Sequence, residues 1–411
     1  MTTQPIDSES IRLPQTWQSK RYLLAFAGLA LIFVSAMVFL LSGADVKRYF
    51  MHSYLANWIY CMSFGIAAMF FVLISFLTRA SWNASIRRWA EIISTTIPFL
   101  ALLFIPILAM VLTGMGAPLY EWNQPKEVLM QSQPIVAEKV DYLNGSFFVI
   151  RAAIALVLWS FIVLYYFRQS RREDETGDVQ LTLARQKWSG PLVMLFALSV
   201  SMAAFDWVMS LDADWFSTIF GVYLFAGSMF GFFGLMISSL MMLQHSGKLK
   251  AYVNTEHFHD LGKFLFGFTM FWSYIAFSQL LLYWYGNIPE ETAWFKNRLT
   301  GGWAYLSYGS ILLHFALPFL GMMSRHVRRH RLGSFFWACW ALGAHWLDIT
   351  FLVMPNAGPL TPSLAVAHVL GGLGMFLIFW SIVLVRASDV PLVAVRDPRL
   401  PEGLSYANPL L

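Results

Sequence analysis

Residues 205–231 read FDWVMSLDADWFSTIFGVYLFAGSMFG. An apolar segment running from about Pro191 reaches Asp206, crosses a turn holding Asp212 and Asp214, and re-enters as a second apolar segment. The turn is too short to be a domain, which predicts a tight helical hairpin with acidic residues at one rim. The second arm carries Gly221, Gly227, Gly231 and Gly234; Gly227/Gly231 is a small-xxx-small pair that lets helices approach closely in lipid. Asp206 lies inside apolar sequence. A carboxylate there costs ~3 kcal/mol on insertion scales, so it calls for a partner, a cavity or a task.

Working outward, the 411 residues are 58% hydrophobic, 17% aromatic and only 12% charged, about half the charge of a soluble domain. Segments of about twenty mostly apolar residues are long enough to span a bilayer. Ten are read, near 23–42, 54–78, 93–113, 145–167, 191–210, 216–243, 264–285, 303–323, 334–354 and 364–386. The fold class expected is therefore an all-α polytopic integral membrane protein. Cys61 and Cys339 both lie in apolar segments and form no disulfide framework, and the lack of any CxxC or CxxCH excludes iron–sulfur clusters and covalent c-type haem from this chain. The net charge of +5 is no nucleic-acid signal, because the basic residues sit in loops. The polar first twenty residues lack the order of a cleavable signal peptide.

Lys and Arg set the orientation. With the N-terminus in the cytoplasm, 21 of the 28 basic residues fall in inside segments and 6 in outside loops, Arg151 lying within a span. That asymmetry obeys the positive-inside rule and puts both termini in the cytoplasm. The longest outer loop, 114–144, reads either as a surface loop with a short interfacial helix or as a docking surface for an external partner. The basic run 325–331 reads as a cytoplasmic anchor, and the Pro-rich tail after Arg386 as an extended segment lying on partners or on the membrane.

Few ionisable residues lie inside spans. Arg151 and Asp206 fall toward the outer ends of the fourth and fifth, His314 near the middle of the eighth, and His368 near the outer end of the tenth. In the ninth, His345 and Asp348 share one face by their i, i+3 spacing, and a mid-membrane imidazole beside a carboxylate is a proton-carrying unit. Pro318 removes the helical partner of the His314 carbonyl and predicts a kink there. Arg151/Asp206 also fits a purely structural ion pair, and His368 reads as structural. Asp206 stands fifteen positions after Pro191 and Asp348 fourteen after Ser334, with Trp207 and Trp346 beside them. This weak parallel repeat suggests two four-helix bundles, residues 54–210 and 216–354. The first helix, 23–42, and the tenth, 364–386, would be peripheral, with cytoplasmic tails at 1–22 and 387–411.

The hairpin, the ten-helix plan and the segment HWLDITFLVMP at 345–355 together resemble one family, the NrfD/polysulfide-reductase-type membrane subunits, and within it the ActF-type subunits of bacterial alternative complex III. The resemblance covers essentially the whole chain; the WFSTIFG run at 215–221 is its most specific part. It implies two four-helix bundles and a role in a respiratory or photosynthetic quinol:electron-acceptor oxidoreductase, supporting quinol oxidation and proton transfer. It also implies partners: an ActC-like homologue, an iron–sulfur protein, c-type cytochromes and small membrane subunits. Haem and iron–sulfur clusters would sit on those partners, and quinol would be a substrate rather than a bound cofactor. Where the family often has Pro-His before WFS, this chain has Ala213-Asp214, so no role of that histidine carries over. By position, Asp206, His345 and Asp348 map onto the family's buried polar sites, with Arg151 and His314 in support. Trp207, Trp215, Phe216, Trp346 and Phe351 are candidate walls for a ring, and Thr350 a candidate relay hydroxyl. Two other readings stay open: a secondary transporter, and a haem b anchor with His314 and His345 as axial ligands.

Overall fold

The computed structural model describes residues 9–43 and 45–407. The start of the N-tail and Pro409 of the C-tail lie outside the described residues. Among the described residues there is no strand, and ten helices are long and apolar enough to cross a membrane. In chain order they are α1 (Gln15–Leu41), α2 (Val46–Leu77), α3 (Ala84–Leu112), α4 (Gly145–Thr176), α5 (Val179–Leu211), α6 (Phe220–His245), α7 (Thr255–Gly286), α8 (Trp303–Met322), α9 (Arg331–Ala357) and α10 (Pro362–Ala387). Several outrun the apolar stretch that predicts them, because charged residues continue a helix beyond the hydrocarbon. Helix α4 runs through Arg171–Thr176 and stops at Gly177, whose φ of 70° only glycine adopts freely. Helix α7 starts at a capping box made by Asn254 and His257.

Helices α2 and α6 form the centre: in each, 89% of the apolar window is buried, against 17% for α1. Helix α2 packs on α3 and α5, and α4 joins those two, closing one four-helix ring; α6, α7, α8 and α9 close a second. The rings meet where α6 lies on α2 and α5, and where α9 lies on α2. Outside them, α1 lies along α10, which rests on α2. A methyl on Gly28 would come 2.6 Å from the Gly374 carbonyl oxygen, and one on Gly374 2.7 Å from that of Gly28. Small residues let these two backbones touch.

The end of the molecule that carries both tails differs from the sequence reading. The segment between the second and third expected spans, 79–92, is taken up from residue 84 onward by the helix Ala84–Ser94, all eleven residues of which are buried, including Arg87, Arg88 and Glu91. It is separated from the rest of α3 (Ile97–Leu112) by Thr95 and Thr96, with Pro98 unable to supply a backbone N–H. The C-tail is not simply extended over its described length. It folds back across its own chain: Val390, Leu392, Val393 and Leu400 are buried, Leu392 N–H donates to the Ile11 carbonyl (2.7 Å), and the Tyr406 hydroxyl donates to Asp260. Apolar side chains in the tail supply the burial that its prolines conceal. At the opposite end, residues 114–144 carry two short helices, Lys126–Ser132 and Pro134–Glu138. Tyr120 and Trp122 of this loop are buried.

Candidate functional site

The 3.6-residue period of α9 points His345 and Asp348 together at α6, where Gly227 and Gly231 face them. A methyl on Gly227 would stand 2.9 Å from Asp348 Oδ2 and 3.5 Å from His345 Nδ1; one on Gly231 would stand 2.5 Å from His345 Cδ2. The glycine pair therefore makes room for the imidazole and the carboxylate, beyond bringing backbones together. Asp348 accepts from the Tyr223 hydroxyl (2.5 Å) and from Trp272 Nε1 (3.1 Å). No basic side chain among the described residues pairs with it within salt-bridge distance. His345 shares a hydrogen bond with Ser63 Oγ through Nε2 (2.8 Å), and its Nδ1 has no partner among the described residues.

His314 joins the same cluster through Trp272. Its ring stacks on the indole at 3.7 Å between centroids and 3° between planes, with Phe230 also stacked on it at 4.2 Å. Both ring nitrogens are buried and lack hydrogen-bond partners among the described residues. Instead of a simple kink, the helix before Pro318 adopts a π-helical stretch, Ile311–Ala316, a deformation often found at functional sites. Trp340 Nε1 donates to the Leu313 carbonyl within it (2.7 Å). One indole thus contacts two functional candidates: Trp272 hydrogen-bonds Asp348 through its edge and stacks on His314 through its face.

Beside this cluster lies a cavity of about 480 Å³ between α7, α8 and the short helix Pro289–Leu299. Tyr223 and Trp272 line it from the Asp348 side, and Trp294, Phe315 and Phe351 supply flat apolar walls. Tyr274, Phe277 and Ile311 are 66%, 61% and 55% exposed, so the cavity opens sideways where lipid would lie. Gln279, itself 3% exposed, also lines it; Oε1 accepts from Ser217 (2.9 Å), and Nε2 makes no hydrogen bond among the described residues.

The other expected residues lie apart. Arg151 grips Asp206 with two bonds (Nε–Oδ2 2.6 Å, Nη2–Oδ1 3.0 Å) and lies over the Tyr142 ring, and the Tyr142 hydroxyl also donates to Asp206 (3.1 Å). Asp206 is thereby fully partnered in the first bundle and takes no part in the Asp348 cluster. Among the candidate walls, Phe351 lines the cavity and Trp215 stacks on Trp294. Trp207 packs between Trp58, Phe104 and Trp159, Trp346 stacks on His368, and Phe216 is exposed. Thr350 is no relay beside Asp348: it bonds His368 Nε2 (3.0 Å), whose Nδ1 meets Ser53 (2.8 Å), in a closed network joining α2, α9 and α10. Of the two histidines that the haem reading pairs, His314 is stacked between Phe230 and Trp272, His345 Nε2 bonds Ser63, and neither lines the 480 Å³ cavity.

Sequence reasoning missed Tyr223, Trp272, Gln279 and Trp294, which look like ordinary membrane aromatics and amides until the fold gathers them. It also missed a buried ion network at the tail-bearing end. There Arg87 pairs with Asp397, Arg185 with Glu173, and Arg88 with Glu91 (3.1 Å) and Asp174 (2.7 Å). Burial pushes the Asp397 carboxyl up, but the Arg87 guanidinium and the Arg399 backbone N–H outweigh it and hold the group below its ordinary value. At the other end Arg298 is wholly buried and donates to the carbonyls of Phe351 (3.2 Å) and Leu352 (2.9 Å), capping α9. Asp212 in the hairpin turn is raised by burial against the pull of Arg298. No protein-family model and no curated protein matches this chain.

Proposed function

We propose that this chain is a membrane subunit of a quinol:electron-acceptor oxidoreductase of the alternative complex III type, ActF-like, in the bacterial cytoplasmic membrane with both termini inside. The observation that carries the reading is the laterally open aromatic cavity whose inner wall is hydrogen-bonded to a buried carboxylate. A lipid-soluble ring needs access from the bilayer, flat walls and a proton acceptor at its hydroxyl. The cavity offers Trp272, Trp294 and Phe351 as walls, and Tyr223 and Gln279 as polar contacts. A ring hydroxyl there would donate to Tyr223 Oη, whose own proton is already shared with Asp348 Oδ1. Proton transfer then runs from substrate to Tyr223 and from Tyr223 to Asp348. From there His345 Nδ1, across the space above Gly227, and His314 are the next groups able to take it. Electrons would leave to iron–sulfur and c-haem partners. A sideways opening suits a lipid-soluble substrate better than the aqueous solute of a transporter.

Affinity purification of the tagged chain in mild detergent, with mass spectrometry and a redox difference spectrum, tests the assignment. Multihaem c-type cytochrome and an iron–sulfur protein in the preparation are expected. A lone, colourless chain would overturn it. Labelling by a photoreactive quinone is then expected on α7 and α8 peptides of this chain, and labels confined to other subunits would remove the cavity's role.

A further inference from the structure

At the tail-bearing end a second large groove, of about 510 Å³, opens between the start of α1, the end of α6 and the start of α9. We infer that it binds an anionic phospholipid. Its lining has two zones. Met241, Met242, Leu332 and Phe335 make an apolar trough, with Leu332 75% and Met242 44% exposed toward the surrounding lipid. Arg331, His245 and Ser246 make a polar rim with no carboxylate among the lining residues.

Arg331 is held at that rim without being neutralised. Its Nη2 donates to Gln244 Oε1 (2.7 Å), and Gln244, 2% exposed, is locked by its own donation to the Val253 carbonyl (2.6 Å). The neighbouring Arg329 is engaged with the Glu256 carboxylate (Nη1–Oε2 3.0 Å), whereas no carboxylate among the described residues pairs with Arg331. The amino end of the 23-residue helix that Arg331 begins adds positive potential at the same place. Trp17 lines the groove, and indoles concentrate where lipid headgroups meet the apolar layer. A phosphodiester fits Arg331 and Ser246 while its acyl chain follows the trough. An anionic lipid uses both zones; a zwitterionic lipid adds no net charge, and free phosphate leaves the trough empty.

The test is thermal unfolding of the full chain in uncharged detergent, with added phosphatidylglycerol, phosphatidylcholine or glycerol phosphate. A melting-temperature rise specific to phosphatidylglycerol is expected, with at least a tenfold loss of apparent affinity in Arg331→Gln and in Ser246→Asp. The second variant places a like charge at the rim and serves if the first folds poorly. Equal shifts with phosphatidylcholine, a full shift with glycerol phosphate, no shift at all, or retention in a folded variant would each overturn the site.

Discussion

Replacing Asp348 by Asn separates proton transfer from folding, because the hydrogen-bond geometry leaves the amide one arrangement. The Trp272 indole can only donate, so the amide oxygen must take the place now 3.1 Å from Nε1. The amide NH₂ is then left toward Tyr223, whose hydroxyl must turn and accept instead of donating. Both contacts to position 348 are kept and no cavity opens; only the phenol proton loses its acceptor and turns toward the cavity that Tyr223 lines, so the stability cost should stay near ~1 kcal/mol. Chemistry fares differently. Tyr223 no longer has a base behind it, and loss of a positioned acid–base group typically costs about 10²–10⁴-fold. The assay is quinol-driven reduction of the acceptor by the purified complex, normalised to assembled complex. A loss of about a hundredfold or more with unchanged assembly is expected; turnover at the native rate in Asp348→Asn would refute the relay.

Gly231→Ala places a methyl 2.5 Å from the His345 ring, which Tyr60 and Phe64 flank, so overpacking of ~1–3 kcal/mol should lower the melting temperature; an unchanged value would show that the ring moves freely. Removing one partner of a buried pair is costly, about 3–5 kcal/mol, and Arg151→Gln strands Asp206 in that way. Hydrogen exchange around the hairpin turn should rise, while turnover per assembled complex stays put; reduced turnover would draw Asp206 back into the mechanism. Asp397→Ala likewise strands Arg87, whose pair with Asp397 is 1% exposed on each side, and should expose the C-tail to trypsin. Because the folded Asp397 carboxyl titrates below its ordinary 3.8, its contribution is complete above that pH and is lost as pH falls through the lowered value. Hydrogen exchange of the tail amides, corrected for its intrinsic pH dependence, should therefore rise only below about pH 3.8, and a rise near neutrality would contradict the clasp.

Composition and twenty-residue apolar runs were enough to read ten spanning helices, since a bilayer demands length and apolarity and little else. The i, i+3 spacing of His345 and Asp348 and the Gly227/Gly231 pair were legible for the same reason: helical periodicity is local. What lay across from them was not. Tyr223, Trp272 and Ser63 come from three other helices, and nothing in their own neighbourhoods marks them. The same holds for Asp206 and Asp348, which look alike in sequence. The tertiary structure gave one an arginine 55 positions away and the other only a phenol and an indole. The charged stretches 79–92 and 168–190 read as loops because charge usually marks solvent. Only the fold supplies the opposite charges, including Asp397 from the far end of the chain, that allow burial. Sequence determined which segments enter the membrane, because that is a property of each segment. Which buried carboxylates meet a counter-charge and which meet only neutral donors depends on neighbours brought by packing, and only the tertiary structure decided it.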